Sequence, residues 1–162
     1  MAGKGLNCIV LRRKEIENYL LSPPAIARSV ATRLREAGRD EAAVSENAII
    51  EMIVTIGTDL KHLTSAQVTS NAMRFAREQR SADDDATTIG NALTRFDQEW
   101  AEFDGLRRLA PGKELLKRLF AKIQEDFGVS ISIAMIQDQI RTDEIDKEVA
   151  DIAGQLNGFF EA

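Results

Sequence analysis

After five opening residues the chain enters an apolar run, residues 6–11, which constrains the fold more than any other stretch. Five of its six residues are apolar, with Asn7 the exception. Such a run, ending in charged residues, is typical of a strand buried on both faces, and that kind of strand lies inside a sheet. Most of the following sequence has helical spacing, so the chain offers almost no partner strands. We predict a mainly α fold with one short N-terminal strand.

The composition supports a helical body with a real core. Of the 162 residues, 44% are hydrophobic and 29% are charged, while aromatic residues are limited to seven Phe, one Trp and one Tyr. Residues that favour helices dominate the rest. The net charge of -5 argues against a broad phosphate-binding surface, although it leaves room for a local basic patch.

The cysteine content and the hydropathy pattern predict the cellular environment of the protein. Cys8 is the only cysteine, so no internal disulfide can form, and a reducing, cytoplasmic environment is expected. Its place in the apolar run favours a buried structural role. No run of about eighteen apolar residues occurs, so we predict neither a membrane span nor a membrane partner.

Breaks in the hydrophobic pattern divide the chain into a bundle of about six to seven helices. Residues 1–5 are interpreted as a short disordered N-terminal segment or as residues left over from cloning. Residues 6–162 are interpreted as a single helical domain. Within it we distinguish a strand and motif segment (6–21), a helical insertion (22–103) and C-terminal helices (104–162). Beside a helical turn at 14–21, the predicted helices cover approximately 23–37, 46–62, 65–80, 88–103, 112–127, 133–141 and 146–160.

Two of these boundaries rest on specific polar residues. Thr64 or Ser65 can cap a new helix, which places a break after His62. Residues 129–133 alternate apolar and polar, so they predict either a second short strand or a loop in which Ser132 caps the next helix.

Glu15 and Glu17 are the first candidate functional residues. In an extended segment they share a face and can bind one Mg²⁺, whereas in a helix they diverge by about 200°, and Glu15 pairs instead with Asn18 or Tyr19. The adjacent cations Arg12, Arg13 and Lys14 suit a phosphate. Surface salt bridging is the alternative interpretation of all five charged side chains.

Lys113 is the other candidate. It follows a Pro-Gly turn in the first turn of a predicted helix, where exposed amides and a cation can meet an anion. It is not part of a Walker motif, because Arg107 and Glu114 stand where that motif needs glycine and Ser or Thr. A plain helix start is the alternative. His62, the only histidine, lacks the partners of a zinc site and is placed near a helix end.

The motif segment and the C-terminal part together resemble a known family. The stretch RRKEIENYLL (12–21) followed by SPPAI is similar to a motif of the OLD-family (overcoming lysogenisation defect) nucleases and related AAA-type ATPases with a Toprim nuclease domain. A W-x-x-F helix, LAPGKELLKRL (109–119), GVSIS, MIQDQI and TDEIDKEV extend the resemblance. It covers nearly the whole chain, and the RRKEIENYLL and PGKELL pieces are its more specific parts.

The resemblance implies that this chain is the last portion of an ATP-dependent DNA endonuclease, a hydrolase. An ATPase and the rest of a Toprim sheet would precede it, and residues 6–11 would be the final piece of that sheet. Mg²⁺ or Mn²⁺ would be held mainly by acidic residues of the missing portion, so this chain alone would not be catalytic. Glu15 or Glu17 would match an acidic residue near the metal, and Lys113 a lysine at the scissile phosphate.

The class that competes with this interpretation is a helical protein-protein interaction or regulatory module without catalysis. An opening strand without partners predicts dimerisation through its edge. A homodimer is therefore a further expected partner.

Overall fold

The computed structural model describes residues 11–160, with side chains as far as Gln155. The strand predicted at 6–11 lies almost entirely outside these residues. Within them the protein is mainly helical, as predicted, with seven α-helices and short 3-10 turns at Ile16–Leu20, Glu41–Ala43 and Thr142–Glu144. The helices are α1 (Pro23–Glu36), α2 (Glu46–Glu78), α3 (Asp85–Ala101), α4 (Phe103–Leu109), α5 (Gly112–Phe127), α6 (Ile133–Gln139) and α7 (Lys147–Phe160).

The hydrophobic core lies where α1, α2, α5 and α6 meet. Its largest fully buried apolar side chains are Leu21, Ile26, Val30, Ile49, Ile53, Leu60, Leu115, Leu119, Ile123 and Ile136. Complete burial of such a side chain stabilises the fold by about 1.5–3 kcal/mol. Because both predicted parts, 22–103 and 104–162, contribute to this core, neither carries a full core of its own.

Helix α2 is one continuous helix, so the break predicted after His62 is wrong. The hydroxyl of Thr64 donates to the Leu60 carbonyl oxygen and that of Ser65 donates to the His62 carbonyl oxygen. Both hydroxyls therefore bond backward along the helix instead of capping a new one. His62 consequently lies in the middle of α2, exposed, and not near a helix end.

Helix α4 lies mostly in the gap left between the predicted helices 88–103 and 112–127. The chain turns at Glu102 and enters α4 at Phe103, so Phe96 and Trp100 lie on α3 whereas Phe103 lies on α4. Gly105 permits this sharp turn, since a Cβ there would lie 1.7 Å from the Glu99 carbonyl oxygen. Phe96 and Trp100 are buried with ring centroids 5.0 Å apart, as expected of core residues.

Of the two structures considered for residues 129–133, the capped helix is observed. The Ser132 hydroxyl accepts the Met135 backbone N–H, and α6 begins at Ile133. Val129 and Ile131 are both buried, which explains the strand-like alternation. No partner strand lies beside them in residues 11–160.

Within the same described range, none of the helices combines the length and apolar character needed to cross a membrane.

Candidate functional site

The motif segment, residues 12–20, packs on the corner between α4 and α5, which we call the α4–α5 corner (residues 107–113). Its anchor is Asn18, whose side chain is fully buried. The Asn18 amide nitrogen donates to the carbonyl oxygens of Arg107 (2.6 Å) and Ala110 (2.9 Å), while its oxygen accepts the Glu15 backbone N–H. One side chain thus satisfies two carbonyls that a helix end would leave unpaired.

Gly112 allows this close approach. A Cβ on Gly112 would lie 2.4 Å from the Asn18 side-chain oxygen and 2.9 Å from the Asn18 backbone nitrogen. Glycine at the start of α5 is therefore required by the packing of the motif segment.

The structure brings the candidate residues Glu15, Glu17 and Lys113 together at the start of α5. The Glu15 carboxylate accepts the Lys113 backbone N–H at 2.8 Å. The Glu17 carboxylate lies 3.7 Å from the Lys113 ammonium. A carboxylate at a helix N-terminus is stabilised by the exposed amides and by the helix dipole. The position that an external anion would take beside Lys113 is thus occupied by Glu15.

The described geometry does not place Glu15 and Glu17 on one face of a strand. The chain leaves the extended conformation at Ile16 and enters a 3-10 turn, so Glu15 and Glu17 do not share a strand face. Each carboxylate already has a partner from Lys113. Among residues 11–160 no cluster of three or more His, Cys, Asp and Glu is spaced to hold a metal ion. A Mg²⁺ or Mn²⁺ contact by Glu15 and Glu17 stays a prediction.

The three cations of the motif segment have different surroundings. Arg13 pairs with Asp146 at 2.5 Å and lies over the Tyr19 ring, 5.0 Å from its centroid. The Lys14 ammonium donates to the Gln67 side-chain oxygen at 2.5 Å. Arg12 is exposed. A phosphate contact by these residues stays a prediction, and Arg13 has a structural role.

A polar cleft of about 420 Å³ lies beside these residues. Four arginines line it, and three of them are paired with carboxylates: Arg13 with Asp146, Arg107 with Asp104 and Arg108 with Glu99. Its positive charge is therefore largely balanced within the chain.

The start of α7 is fastened to the body by three carboxylates, Glu144, Asp146 and Glu148, which we call the acidic latch. Glu144 pairs with Arg28 of α1. Asp146 accepts the Glu148 backbone N–H as the cap of α7, in addition to its pair with Arg13. Glu148 accepts the Arg12 backbone N–H at 2.9 Å and the Tyr19 hydroxyl.

Contacts of the acidic latch shift the pKa values of Asp146, Glu144 and the neighbouring Tyr19. Partial burial acts to raise the pKa of Asp146, but the hydrogen bonds from Arg13 and from the Glu148 amide outweigh it and hold that pKa below its usual value. The hydrogen bond from Arg28 likewise lowers the pKa of Glu144. Burial and the neighbouring Glu148 carboxylate raise the pKa of Tyr19.

We expect α7 to loosen in acid. Because the folded pKa of Asp146 and Glu144 lies below the unfolded value, their stabilisation is complete above about pH 4–5 and is lost as the pH falls through the lowered values. Hydrogen exchange of the α7 amides, corrected for the intrinsic rate, should then accelerate about fivefold, corresponding to about 1 kcal/mol for one partly exposed pair.

A matched pair of variants isolates the ion pair. Asp146→Asn keeps a good helix cap but removes the charge that faces Arg13, so its α7 amides should exchange faster already at neutral pH. Asp151→Asn removes the exposed partner of Lys147 on the same helix and should leave exchange at the start of α7 unchanged. Equal exchange in the two variants would contradict a role for the Arg13–Asp146 pair.

Sequence reasoning did not find the roles of Asn18 and Asp146. Asp146 immediately precedes a helical pattern, which is a cap signal, but its partner Arg13 lies 133 residues away. The pairing of Glu15 with Asn18 was predicted for a helical segment and is observed through the Glu15 backbone N–H. Nothing in the sequence indicated that Asn18 reaches the corner before α5.

The chain matches no family model, no curated protein and no solved structure. Functional inference therefore depends on the motifs and on the contacts described above.

Proposed function

We propose that this chain is the C-terminal helical portion of an OLD-like, ATP-dependent and metal-dependent DNA endonuclease, and that it is not catalytic by itself. One observation supports the proposal above the others. The two more specific pieces of the resemblance, RRKEIENYLL and PGKELL, are about ninety residues apart in the chain. Glu15 of the first accepts the Lys113 backbone N–H of the second, and Asn18 donates to the Ala110 carbonyl oxygen immediately before PGKELL.

In this proposal the α4–α5 corner is a platform that holds the motif segment in place. Asn18 and Glu15 fix the segment, and Lys113 and Glu17 remain at the surface beside it. Residues 6–11 continue from the segment as the last strand of a Toprim sheet. The rest of that sheet, the ATPase, and the acidic residues that hold Mg²⁺ or Mn²⁺ belong to a preceding portion of a longer cytoplasmic protein whose substrate is DNA.

The proposal is tested by nuclease assays on the longer protein. Lys113→Ala and Glu17→Gln should lower DNA cleavage about tenfold to a hundredfold, the range found for residues that position a catalytic metal site, with ATP hydrolysis unchanged. Lys117→Ala, an exposed lysine one turn further along α5, is the control and should cleave like the parent.

Stability measurements separate a functional loss from a folding defect. Lys113 is exposed and its side chain makes only a long contact with Glu17, so Lys113→Ala should unfold at the same denaturant concentration as the parent. Full nuclease activity in both Lys113→Ala and Glu17→Gln would contradict the assignment of these residues.

A second candidate function, a helical interaction module, is favoured by the distal half of α2. Beyond Thr64 this helix has no buried residue, and it packs mainly on α3. Phe75 is 63% exposed and Leu63 51% exposed. A helix that leaves large apolar side chains such as these uncovered is suited to a partner helix, including one from a second copy.

Light scattering of the purified chain tests this alternative. A dimer that becomes monomeric in Phe75→Ser, but not in Arg74→Ser on the same exposed turn, would favour the interaction module. A chain that is monomeric at all accessible concentrations would contradict the homodimer.

A further inference from the structure

A hole of about 230 Å³ opens on one side of the hairpin formed by α2 and α3. We call it the α2–α3 hole. Its apolar lining is contributed by Val68 and Ala72 of α2, Ala92 and Phe96 of α3, and Leu109 of α4, and Arg95 and Glu99 complete it. The hole is smaller than the clefts of about 300–1,000 Å³ that hold drug-sized ligands. Its size suits a single inserted side chain.

An exposed phenylalanine follows the hole along the same face of α2. Phe75 leaves 63% of its surface in water. It lies seven residues after Val68, which places the two side chains about 10 Å apart along the helix and only about 20° apart around it. One face of the hairpin therefore carries both a projecting aromatic ring and a hole for one.

A ring and a hole on one face are self-complementary when two copies meet around a two-fold axis. With the two α2 helices antiparallel and the axis close to Ala72, Phe75 of each copy lies over the α2–α3 hole of the other. The small side chain of Ala72 lets the two helices approach closely at the axis. A parallel arrangement would bring the two Phe75 rings together and leave both holes empty.

The charges beside the ring and the hole match in the antiparallel arrangement. Arg95 lines the hole, and the next two acids along α3 pair with other cations. Glu78 lies one turn beyond Phe75, and its only ion pair within the described residues is a 4.0 Å contact with Arg74. Antiparallel docking carries Glu78 of one copy toward Arg95 of the other.

We propose that a second copy of this chain covers this face, with each Phe75 filling the α2–α3 hole of the other copy. A second copy is favoured over an unrelated helix, because it uses the ring, the hole and both charges at once. The inference rests on the second candidate function, the interaction module, whose partner it names. It is independent of the nuclease proposal.

Sedimentation equilibrium of the full chain, over concentrations that reach the millimolar range, measures the dissociation constant of the dimer. Phe75→Ala should raise this constant by about a hundredfold or more, because the symmetry removes two buried rings at once. Leu63→Ala is the matched control, since Leu63 is also exposed on α2 but lies about 120° away around the helix. It should leave the constant within about twofold of the parent.

Circular dichroism confirms that both variants fold, as expected for changes at exposed positions. A chain that is monomeric at every concentration would overturn the proposal and leave the hole to a helix of another protein. Equal dissociation constants for Phe75→Ala and the parent would also overturn it.

A single cysteine at the axis tests the docking geometry. In a chain whose only native cysteine is replaced, Cys8→Ser, Ala72→Cys should form a disulfide between copies. Only residues close to a two-fold axis meet their own counterparts within the distance of about 7 Å that a disulfide spans. Ser70→Cys, exposed and about 160° away around α2, is the control and should react about tenfold more slowly. Equal rates in a dimeric chain would overturn this docking and leave the interaction module standing.

Exchanging two charges tests the contact between Glu78 and Arg95. Arg95→Glu should raise the dissociation constant about tenfold, because it places two carboxylates together. Adding Glu78→Arg should return the constant to within about threefold of the parent. A double variant that dimerises no better than Arg95→Glu alone would overturn the proposal.

Discussion

Replacing Asn18 by Ala is expected to lower the free energy of unfolding by about 3 kcal/mol. The Asn18 side chain is fully buried and bonds the carbonyl oxygens of Arg107 and Ala110 and the Glu15 backbone N–H. The substitution leaves these groups without their partner, and a buried unsatisfied group costs about 1–3 kcal/mol. The loss is the largest expected for any one polar side chain in the described part of the protein.

Chemical denaturation followed by circular dichroism measures this loss. Asn91→Ala is the matched control, because Asn91 is exposed on α3 and alanine is the better helix former there by a few tenths of a kcal/mol. Asn18→Asp should also destabilise, since it keeps the acceptor for the Glu15 amide but removes both donors and buries a charge. A loss below about 0.5 kcal/mol in Asn18→Ala would contradict the anchoring role.

Gly105→Ala is expected to be comparably destabilising, by about 3 kcal/mol. The added Cβ would lie 1.7 Å from the Glu99 carbonyl oxygen and 2.6 Å from its carbonyl carbon. Both are backbone atoms, so no side chain can move aside, and the junction between α3 and α4 has to open. Overpacking usually costs about 1–3 kcal/mol, and a backbone clash lies at the upper end of that range.

Gly90→Ala is a direct control for Gly105→Ala. Both glycines lie in helices, but a Cβ on Gly90 meets nothing within 4 Å. Gly90→Ala should therefore stabilise the protein by about 0.5–1 kcal/mol through helix propensity alone. The two variants should shift the unfolding midpoint in opposite directions, and a shift in the same direction would contradict the described α3–α4 junction.

Local signals in the sequence predicted several elements well. The amphipathic spacing of α5 correctly predicted where this helix begins, at Gly112, and where it ends, at Phe127. Gly38 and Gly128 adopt positive φ at helix ends, where only glycine is unstrained. Phe96 and Trp100, four residues apart, share the buried face of α3.

Elements that depend on tertiary packing were not predicted. Thr64 resembles a cap in sequence, yet it is buried against Leu60 within a continuous helix. The turn between α3 and α4 depends on the contact between Gly105 and Glu99, which has no signature in the hydrophobic pattern. Propensity and periodicity act over a few residues, whereas these outcomes are decided by neighbouring helices.

The catalytic and metal-binding roles of the candidate residues stay predictions, but their proximity is observed. Glu15, Glu17 and Lys113 were selected from distant parts of the chain, and the structure places them at one helix start. The role of Glu15 there as a partner of the α5 amides could not be read from the sequence, because it requires the corner that Asn18 builds.

The most direct test of the central claim is the size of the polypeptide in the cells that make it. An antibody raised against this chain should detect a protein far larger than 18.0 kDa, since an ATPase and the rest of a Toprim domain are proposed to precede it. Mass spectrometry of the captured protein should then find a Walker A loop in the same polypeptide. Detection of an 18 kDa protein alone would contradict the nuclease proposal and leave the interaction module as the better account.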